Sequence, residues 1–200
     1  MSTDLHDFVD DIRACQLCKA DMERAPRPIL QVSKTAKILI AGQAPGNLAM
    51  ESGRPFTDPS GVRLREWLQI DEAYFYDPNK VAIVPMGFCF PGYDAKKSDL
   101  PPRKECVKTW HDEIFQQMTQ LELILVIGQY AQAYHMGDAR RRTLTETVAN
   151  WRETFTEERS PKILPLPHPS WRNNAWIKQN MWFADELLPE LKSRVSELTR

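Results

Sequence analysis

Four cysteines are the residues of this chain whose type and spacing most directly suggest chemistry. Cys15 and Cys18 form a Cys-x-x-Cys pair near the start, Cys89 follows an apolar segment, and Cys106 begins a later helical pattern. One close pair and two separated thiols can supply four thiolates to an iron–sulfur cluster or to a tetrahedral zinc ion. Zinc ribbons usually have two close pairs, so the spacing slightly favours an iron–sulfur cluster, with zinc and buried free thiols as alternatives.

Three short apolar segments end in Gly- and Pro-rich sequences that could contribute to a site. The segments end in GQAPG at 42–46, PMGFCFPG at 85–92 and PLPHPSW at 165–171. The first sequence lacks the lysine of a phosphate loop and the three-glycine dinucleotide pattern, so it predicts a turn that offers backbone N–H groups and the Gln43 amide. Because ligands bind beyond the carboxyl ends of parallel strands, we expect these three segments to form one site.

The elements that must position these residues alternate along the chain. Apolar runs predict strands at 37–43, 81–87, 121–129 and 162–170, and helical spacing predicts helices at 60–70, 103–120 and 175–198. Ser60 is the expected N-cap of the first of these helices, Pro189 is expected to interrupt the last, and 88–102 is expected to be a loop. This order predicts an α/β protein, a three-layer α/β/α sandwich around a central, mainly parallel four-stranded sheet.

Composition narrows the class of protein. The 200 residues are 42% hydrophobic and 10% aromatic, which suits one domain over 1–200 with residues 1–36 as a cysteine-bearing extension packed on it. A net charge of −1 argues against a strong non-specific nucleic-acid binder. No apolar run is long enough for a membrane span, and the acidic N-terminus lacks the pattern of a secretory signal. We therefore expect a cytoplasmic protein with no membrane partner, in which disulfides are disfavoured.

The motifs together resemble the uracil-DNA glycosylase superfamily, most closely its iron–sulfur-containing family 4, with family 5 close by. That branch pairs an N-terminal Cys-x-x-Cys with a cysteine after the second strand and another at the start of the next helix. Its first motif, Gly-Glu-Ala-Pro-Gly followed by Gly-Arg-Pro-Phe, is matched in length by GQAPGNLAMESGRPF at 42–56. Its second motif begins with His-Pro and is matched by HPS at 168–170.

The resemblance implies a monomeric glycosylase that hydrolyses the bond between deoxyribose and a uracil or other deaminated base in DNA, either flipped or single-stranded. It implies that Phe56 stacks on the base and that His168 stabilises the negative charge of the departing base. Trp171 and Arg172 would enter the DNA minor groove. The remaining substrate-binding residues implied are Gly42, Ala44, Pro45, Gly46, Asn47 and Ser170. The 4Fe–4S cluster of the four cysteines would be structural.

The chain departs from the family pattern at its catalytic acid. Gln43 stands where the branch has Glu, and Ala49 replaces an acidic residue a few positions later. Glu51 and Asp58 remain nearby. We predict that Asp58, followed by a proline and a helix, acts with Gln43 on the attacking water.

A second departure affects the recognition of the base. Pro85 stands where the branch has an Asn that reads uracil, so the substitution removes a hydrogen-bonding side chain. Gln43 and Asn47 are the candidate replacement amides.

Other functions stay open at this point. One is a nucleic-acid-binding protein of the same fold with weak or no catalysis, which would bind DNA without releasing a base. Another is a hydrolase acting on a small nucleoside. A zinc-stabilised fold of unrelated function is the third.

Overall fold

The structure of the protein is a computed structural model that describes residues 4–156 and 160–200. Its centre is a four-stranded sheet in the order β2–β1–β3–β4, and every neighbouring pair is parallel. The strands are β1 (Ile38–Ala41), β2 (Val81–Ile83), β3 (Leu123–Ile127) and β4 (Lys162–Leu166). This confirms the predicted α/β class and parallel sheet. The predicted N-terminal extension begins with residues 1–3, which lie outside the described residues.

Helices cover both faces of the sheet. They are α1 (Leu5–Arg13), α2 (Asn47–Ser52), α3 (Pro59–Leu68), α4 (Glu72–Phe75), α5 (Lys104–Cys106), α6 (Asp112–Gln117), α7 (Gly128–Met136), α8 (Leu144–Ala149), α9 (Trp151–Thr156), α10 (Asn174–Gln179) and α11 (Leu188–Leu198), with π-helical segments at Val107–His111 and Phe183–Leu187 and 3₁₀ turns at Lys19–Asp21, Gly137–Ala139 and Trp171–Asn173. None of the helices in the described part of the chain combines the length and apolar character that a bilayer span requires.

The strands are apolar on both sides because helices bury both faces of the sheet. Ile38 and Ile40 point into one core, which they share with α3, α9 and α11. Leu39 and Ala41 point into the other, which they share with α1, α6 and α7. This alternation along β1 gives the protein three layers, with helices packed on both faces of the sheet.

Two predicted helix boundaries are wrong. The N-cap of α3 is Asp58 rather than Ser60, because Pro59 is suited to the first turn and the Ser60 hydroxyl instead donates to the Asp58 carboxylate. The C-terminal helical stretch breaks at Asn180 and continues through Pro189. A π-helical segment at Phe183–Leu187 directly precedes α11, whose second residue is Pro189. Its wider turn accommodates a residue that lacks an N–H and that crowds the carbonyl one turn earlier.

Candidate functional site

A pocket of about 290 Å³ lies beyond the carboxyl ends of β1, β2 and β4. The ladder between β1 and β2 extends into it, since the Met86 N–H donates to the Gly42 carbonyl and the Gly87 N–H to the Gln43 carbonyl, both at 2.9 Å. Nine of the predicted site residues line the pocket, namely Gly42, Gln43, Ala44, Pro45, Gly46, Asn47, Phe56, Asp58 and His168. Ser170, Trp171 and Arg172 do not line it and form the loop that follows His168.

His168 is held in a defined orientation at the wall of this pocket. The Ser170 backbone N–H donates to its Nδ1 at 3.1 Å, and the Asn173 side chain donates to its carbonyl at 2.7 Å. Surrounding protein atoms desolvate the ring and lower its pKa, although the Asp58 and Asp99 carboxylates oppose that shift and the ring stays accessible through the pocket. The neutral ring therefore accepts at Nδ1 and carries its proton on Nε2, where it can donate to a ligand.

The loop after His168 is fixed from two sides. The Ser170 hydroxyl accepts from the Arg172 N–H at 3.3 Å, which caps the 3₁₀ turn. Arg63 of α3 donates to the Ser170 carbonyl at 3.2 Å and to the Asn174 side chain at 2.8 Å. Trp171 is 71% exposed on this loop. A rigid turn thus presents a large aromatic side chain to solvent beside the pocket.

Phe56 supplies a flat apolar surface inside the pocket, and its backbone is unusual. Its φ is 55°, a left-handed conformation that costs about 1–3 kcal/mol for a residue other than glycine. The Tyr76 hydroxyl donates to the carbonyls of Pro55 and Phe56 at 2.9 and 3.1 Å, and the Phe56 ring meets Phe75 edge-on at 6.1 Å. Gly61 of α3 lies directly against the Phe56 carbonyl. These neighbours hold the ring where the sequence alone could not place it.

The two candidate amides already have partners. The Asn47 side chain accepts from Arg24 and donates to Glu51 at 2.8 Å, so both of its polar atoms are used. The Gln43 Nε2 donates to the Leu100 carbonyl at 3.0 Å, which leaves the Gln43 oxygen to face a ligand. Pro85 lines the pocket without a side-chain hydrogen bond.

Asp99 and Tyr93 line the pocket as well, although sequence reasoning missed both. They face each other across an isolated antiparallel bridge, and the Leu100 N–H donates to the Gly92 carbonyl at 3.0 Å. The segment predicted as a plain loop therefore contains a small hairpin, residues 92–100. The signal that could have found it is Asp94, since aspartate side chains stabilise turns by accepting the backbone N–H two residues later, here that of Lys96.

Two carboxylates, those of Asp58 and Asp99, line the pocket, and their surroundings differ. The Asp58 carboxylate accepts the Ser60 hydroxyl proton, with its two oxygens 2.7 and 2.8 Å from the Ser60 Oγ. Desolvation raises the pKa of Asp99; Arg172 and His168 oppose the shift, and Asp58 adds to it. The sign and order of these effects show that Asp99, Asp58 and His168 act on one another across the pocket.

The four cysteines interact electrostatically at the other side of the 88–106 segment. Burial raises the pKa of Cys89 to about 12, and the Cys106, Cys15 and Cys18 thiols add to it. Burial likewise raises the pKa of Cys106 to about 11, again with contributions from Cys18 and Cys15. Among residues 4–156 and 160–200, no three His, Cys, Asp or Glu side chains are already arranged around a single metal ion.

N–H donors point at three of the thiols. The Phe88 backbone N–H donates to the Cys106 sulfur at 3.4 Å. The Arg27 backbone N–H interacts with Cys89, and the Arg103 side chain with Cys18, in each case lowering the pKa of the thiol against the effect of burial. Such donors stabilise thiolates.

Known proteins match this chain over most of its length. A sequence model of the Uracil DNA glycosylase superfamily matches residues 30–192, which include 42–56, 168–170, Cys89 and Cys106 but not Cys15 or Cys18. Among solved structures, the chain is similar to a solution NMR structure from Methanosarcina acetivorans described as a candidate uracil DNA glycosylase. The match has 12% identity and a TM-score of 0.49, and it covers 88% of this chain and 99% of that one.

Proposed function

The chain belongs to the uracil DNA glycosylase superfamily, and we propose that it hydrolyses the bond between a deaminated base and deoxyribose in DNA. The observation that carries this proposal is the orientation of His168. Its Nδ1 accepts the Ser170 N–H, so the neutral ring presents Nε2–H to the pocket. A departing base gathers negative charge on a carbonyl oxygen, and a fixed donor at that oxygen stabilises the transition state more than the ground state.

The pocket suits a single base that has left the helix. Its volume of about 290 Å³ lies just below the range for small-molecule sites, which is roughly 300–1,000 Å³, and suits a ligand as small as one base. The Phe56 ring offers a face on which a base can stack. A base inside a duplex cannot reach this depth, so the nucleotide must flip out of the stack. The exposed Trp171 is placed to fill the gap that a flipped base leaves.

Recognition of the base rests on few polar groups. Pro85 makes no side-chain hydrogen bond and Asn47 is held between Arg24 and Glu51. The Gln43 oxygen is an acceptor that suits an N–H on the edge of the base. A site with one such reader discriminates less sharply than a site with a full set. We therefore propose a deaminated base as the substrate class, with uracil as one member.

We also propose that the four cysteines hold a 4Fe–4S cluster, as in family 4. Cys15 and Cys18 follow α1, Cys89 follows β2 and Cys106 ends α5, so four thiolates come from three separate segments. Their mutual electrostatic effects, the burial of Cys18, Cys89 and Cys106, and the N–H donors at three sulfurs fit such a group. When bound, the cluster would pin the N-terminal segment and the 88–106 segment to the core. The same thiolates suit zinc, and visible absorption distinguishes the two because zinc has none.

The experiment is base release from oligonucleotides that carry uracil, hypoxanthine or xanthine, single-stranded and paired, followed by alkaline cleavage of the abasic strand. Anaerobically purified protein is compared with His168→Ala and with His6→Ala, which removes an exposed histidine on α1. We expect cleavage at a lesion and a loss of about 10²-fold or more in His168→Ala, the scale of a removed oxyanion donor. His6→Ala should match the wild type.

Other outcomes would replace the proposal. Tight binding to DNA without release of any base would identify a binding protein of the same fold, and the Gln43 and Pro85 departures would explain it. Turnover of a free nucleoside without DNA binding would identify a small-molecule hydrolase. An unchanged rate in His168→Ala would remove the role assigned to this histidine.

A further inference from the structure

We propose that Asp99 is the catalytic carboxylate of this pocket, which accepts the proton of the attacking water in place of the glutamate missing from the first motif. This inference rests on the proposed function. It concerns a residue outside both family motifs, on the hairpin formed by residues 92–100.

The hairpin holds Asp99 in the pocket from several directions. The bridge to Tyr93 pairs its backbone, and the Asp94 carboxylate accepts the Lys96 and Ser98 N–H groups at 2.8 Å to close the turn. Asp99 lines the pocket together with His168. A defined turn thus places Asp99 at the same pocket as His168, the proposed donor to the departing base.

Gln43 is the link between the first motif and this hairpin. Its Nε2 donates to the carbonyl of Leu100, the residue next to Asp99, at 3.0 Å. A glutamate at 43 has no N–H to donate and would turn a carboxylate towards that carbonyl. The amide at the family's acid position therefore anchors the segment that carries another acid. Gln43 thus replaces the family's glutamate and also binds the segment that carries Asp99.

Asp99 is better suited than Asp58 to take a proton. The Asp58 carboxylate accepts the single hydroxyl proton of Ser60, which its two oxygens share, so one hydrogen bond ties it to the start of α3. No hydrogen-bond donor to the Asp99 carboxylate is found in residues 4–156 and 160–200, where its neighbours act on it only by charge and desolvation. Asp99 is exposed to solvent at the rim of the pocket, and the desolvation on its pocket side still raises its pKa, which favours its action as a base.

The step assigned to Asp99 is balanced as a hydrolysis. The water oxygen bonds to C1′ of the sugar while the bond from C1′ to the base nitrogen breaks, and that electron pair leaves with the base. His168 donates to the base oxygen that gains the charge. The water proton passes to Asp99 and then to the free base or to solvent. Before the new bond forms, the negative charge of Asp99 also stabilises the positive charge on the sugar.

The test compares Asp99→Asn with Asp94→Asn, which changes an aspartate of the same hairpin that serves only its turn. One measurement is the single-turnover rate of base release. The other is binding to two abasic-site analogues in DNA, a protonated pyrrolidine and a neutral tetrahydrofuran. We expect Asp99→Asn to lose about 10²-fold or more in rate, the scale of a general base. It should also lose the preference for the cationic analogue while it binds the neutral one as the wild type does.

The outcomes separate this assignment from the proposed function. If the wild type releases a base and prefers the cationic analogue, and Asp99→Asn retains both properties, the assignment of Asp99 is wrong and the proposed function stands. If the wild type neither releases a base nor prefers the cationic analogue, the proposed function fails and the assignment fails with it. An equal loss in Asp94→Asn would show that the hairpin, rather than the Asp99 carboxylate, is needed.

Discussion

Replacing Gly61 with alanine tests how the pocket holds its stacking surface. Gly61 lies in α3 beneath Phe56, and an added Cβ would stand 1.8 Å from the Phe56 carbonyl oxygen and 2.7 Å from its carbonyl carbon. These are backbone atoms of a residue that already has a left-handed φ of 55°. A side-chain rotation cannot relieve such a contact, so the Phe56 backbone must move by roughly 1 Å or more in a closely packed region.

The expected cost follows from the contacts around Phe56. Overpacking costs about 1–3 kcal/mol. Loss of the Tyr76 hydroxyl hydrogen bond, which Pro55 and Phe56 share, adds about 1 kcal/mol, and the helix preference for alanine over glycine offsets about 1 kcal/mol. We expect a net loss of about 2 kcal/mol in the free energy of unfolding, which for a chain of this size lowers Tm by about 4–8 °C. Displacing the ring should also remove base stacking of about 1–3 kcal/mol, a fall in kcat/KM of roughly 5- to 150-fold.

Thermal and denaturant unfolding measure the first effect, and base release measures the second. Gly46→Ala serves as the stability control, because its added Cβ meets no atom within 4 Å and its φ of −78° suits alanine. We expect that control to unfold close to the wild-type midpoint. A Tm for Gly61→Ala at or above the wild-type value would refute the reasoning, since helix propensity alone would then decide the result.

Three further predictions concern other parts of the molecule. Cys106→Ser should lose the bound metal and the visible absorption of a cluster and should unfold at a lower temperature, measured by metal analysis and calorimetry; full metal content with unchanged stability would contradict the cysteine quartet. Burial lowers the pKa of His135 from 6.5 to about 4. As the pH falls, the unfolded chain protonates this histidine before the folded protein does. The contribution of neutral His135 to the free energy of unfolding is therefore complete above about pH 6.5, and it falls by up to about 3 kcal/mol as the pH drops to about 4. Denaturant unfolding across this range should show a shallower fall in His135→Phe, and an equal slope in both proteins would contradict it. Gln43→Glu should lower the rate of base release, because the donor to the Leu100 carbonyl is lost; a gain in rate would show that position 43 remains the place for the catalytic acid.

The fold could be predicted because its signals are local. Each strand is a short apolar run, and parallel strands bring their carboxyl ends to one edge whatever the details of the loops. That is why residues 42–46, Phe56 and His168, which are far apart in the chain, line one pocket as expected.

The features that sequence reasoning missed depend on contacts between distant residues. Asp99 lies in the pocket next to Leu100, whose carbonyl accepts from Gln43, and no pattern within either segment encodes that bond. Phe56 takes its left-handed backbone because Gly61 and Tyr76 enclose it. Pro189 continues a helix because a π-helical segment precedes it.

The most direct test of the central claim is base release in oxygen-18 water, with both products identified by mass spectrometry. Hydrolysis at the sugar predicts an unlabelled free base and an abasic sugar that carries one heavy oxygen, in equal amounts. The His168→Ala protein should form both products more slowly and in the same ratio. Heavy oxygen in the base, or an intact oligonucleotide after prolonged incubation with metal-loaded protein, would contradict the account.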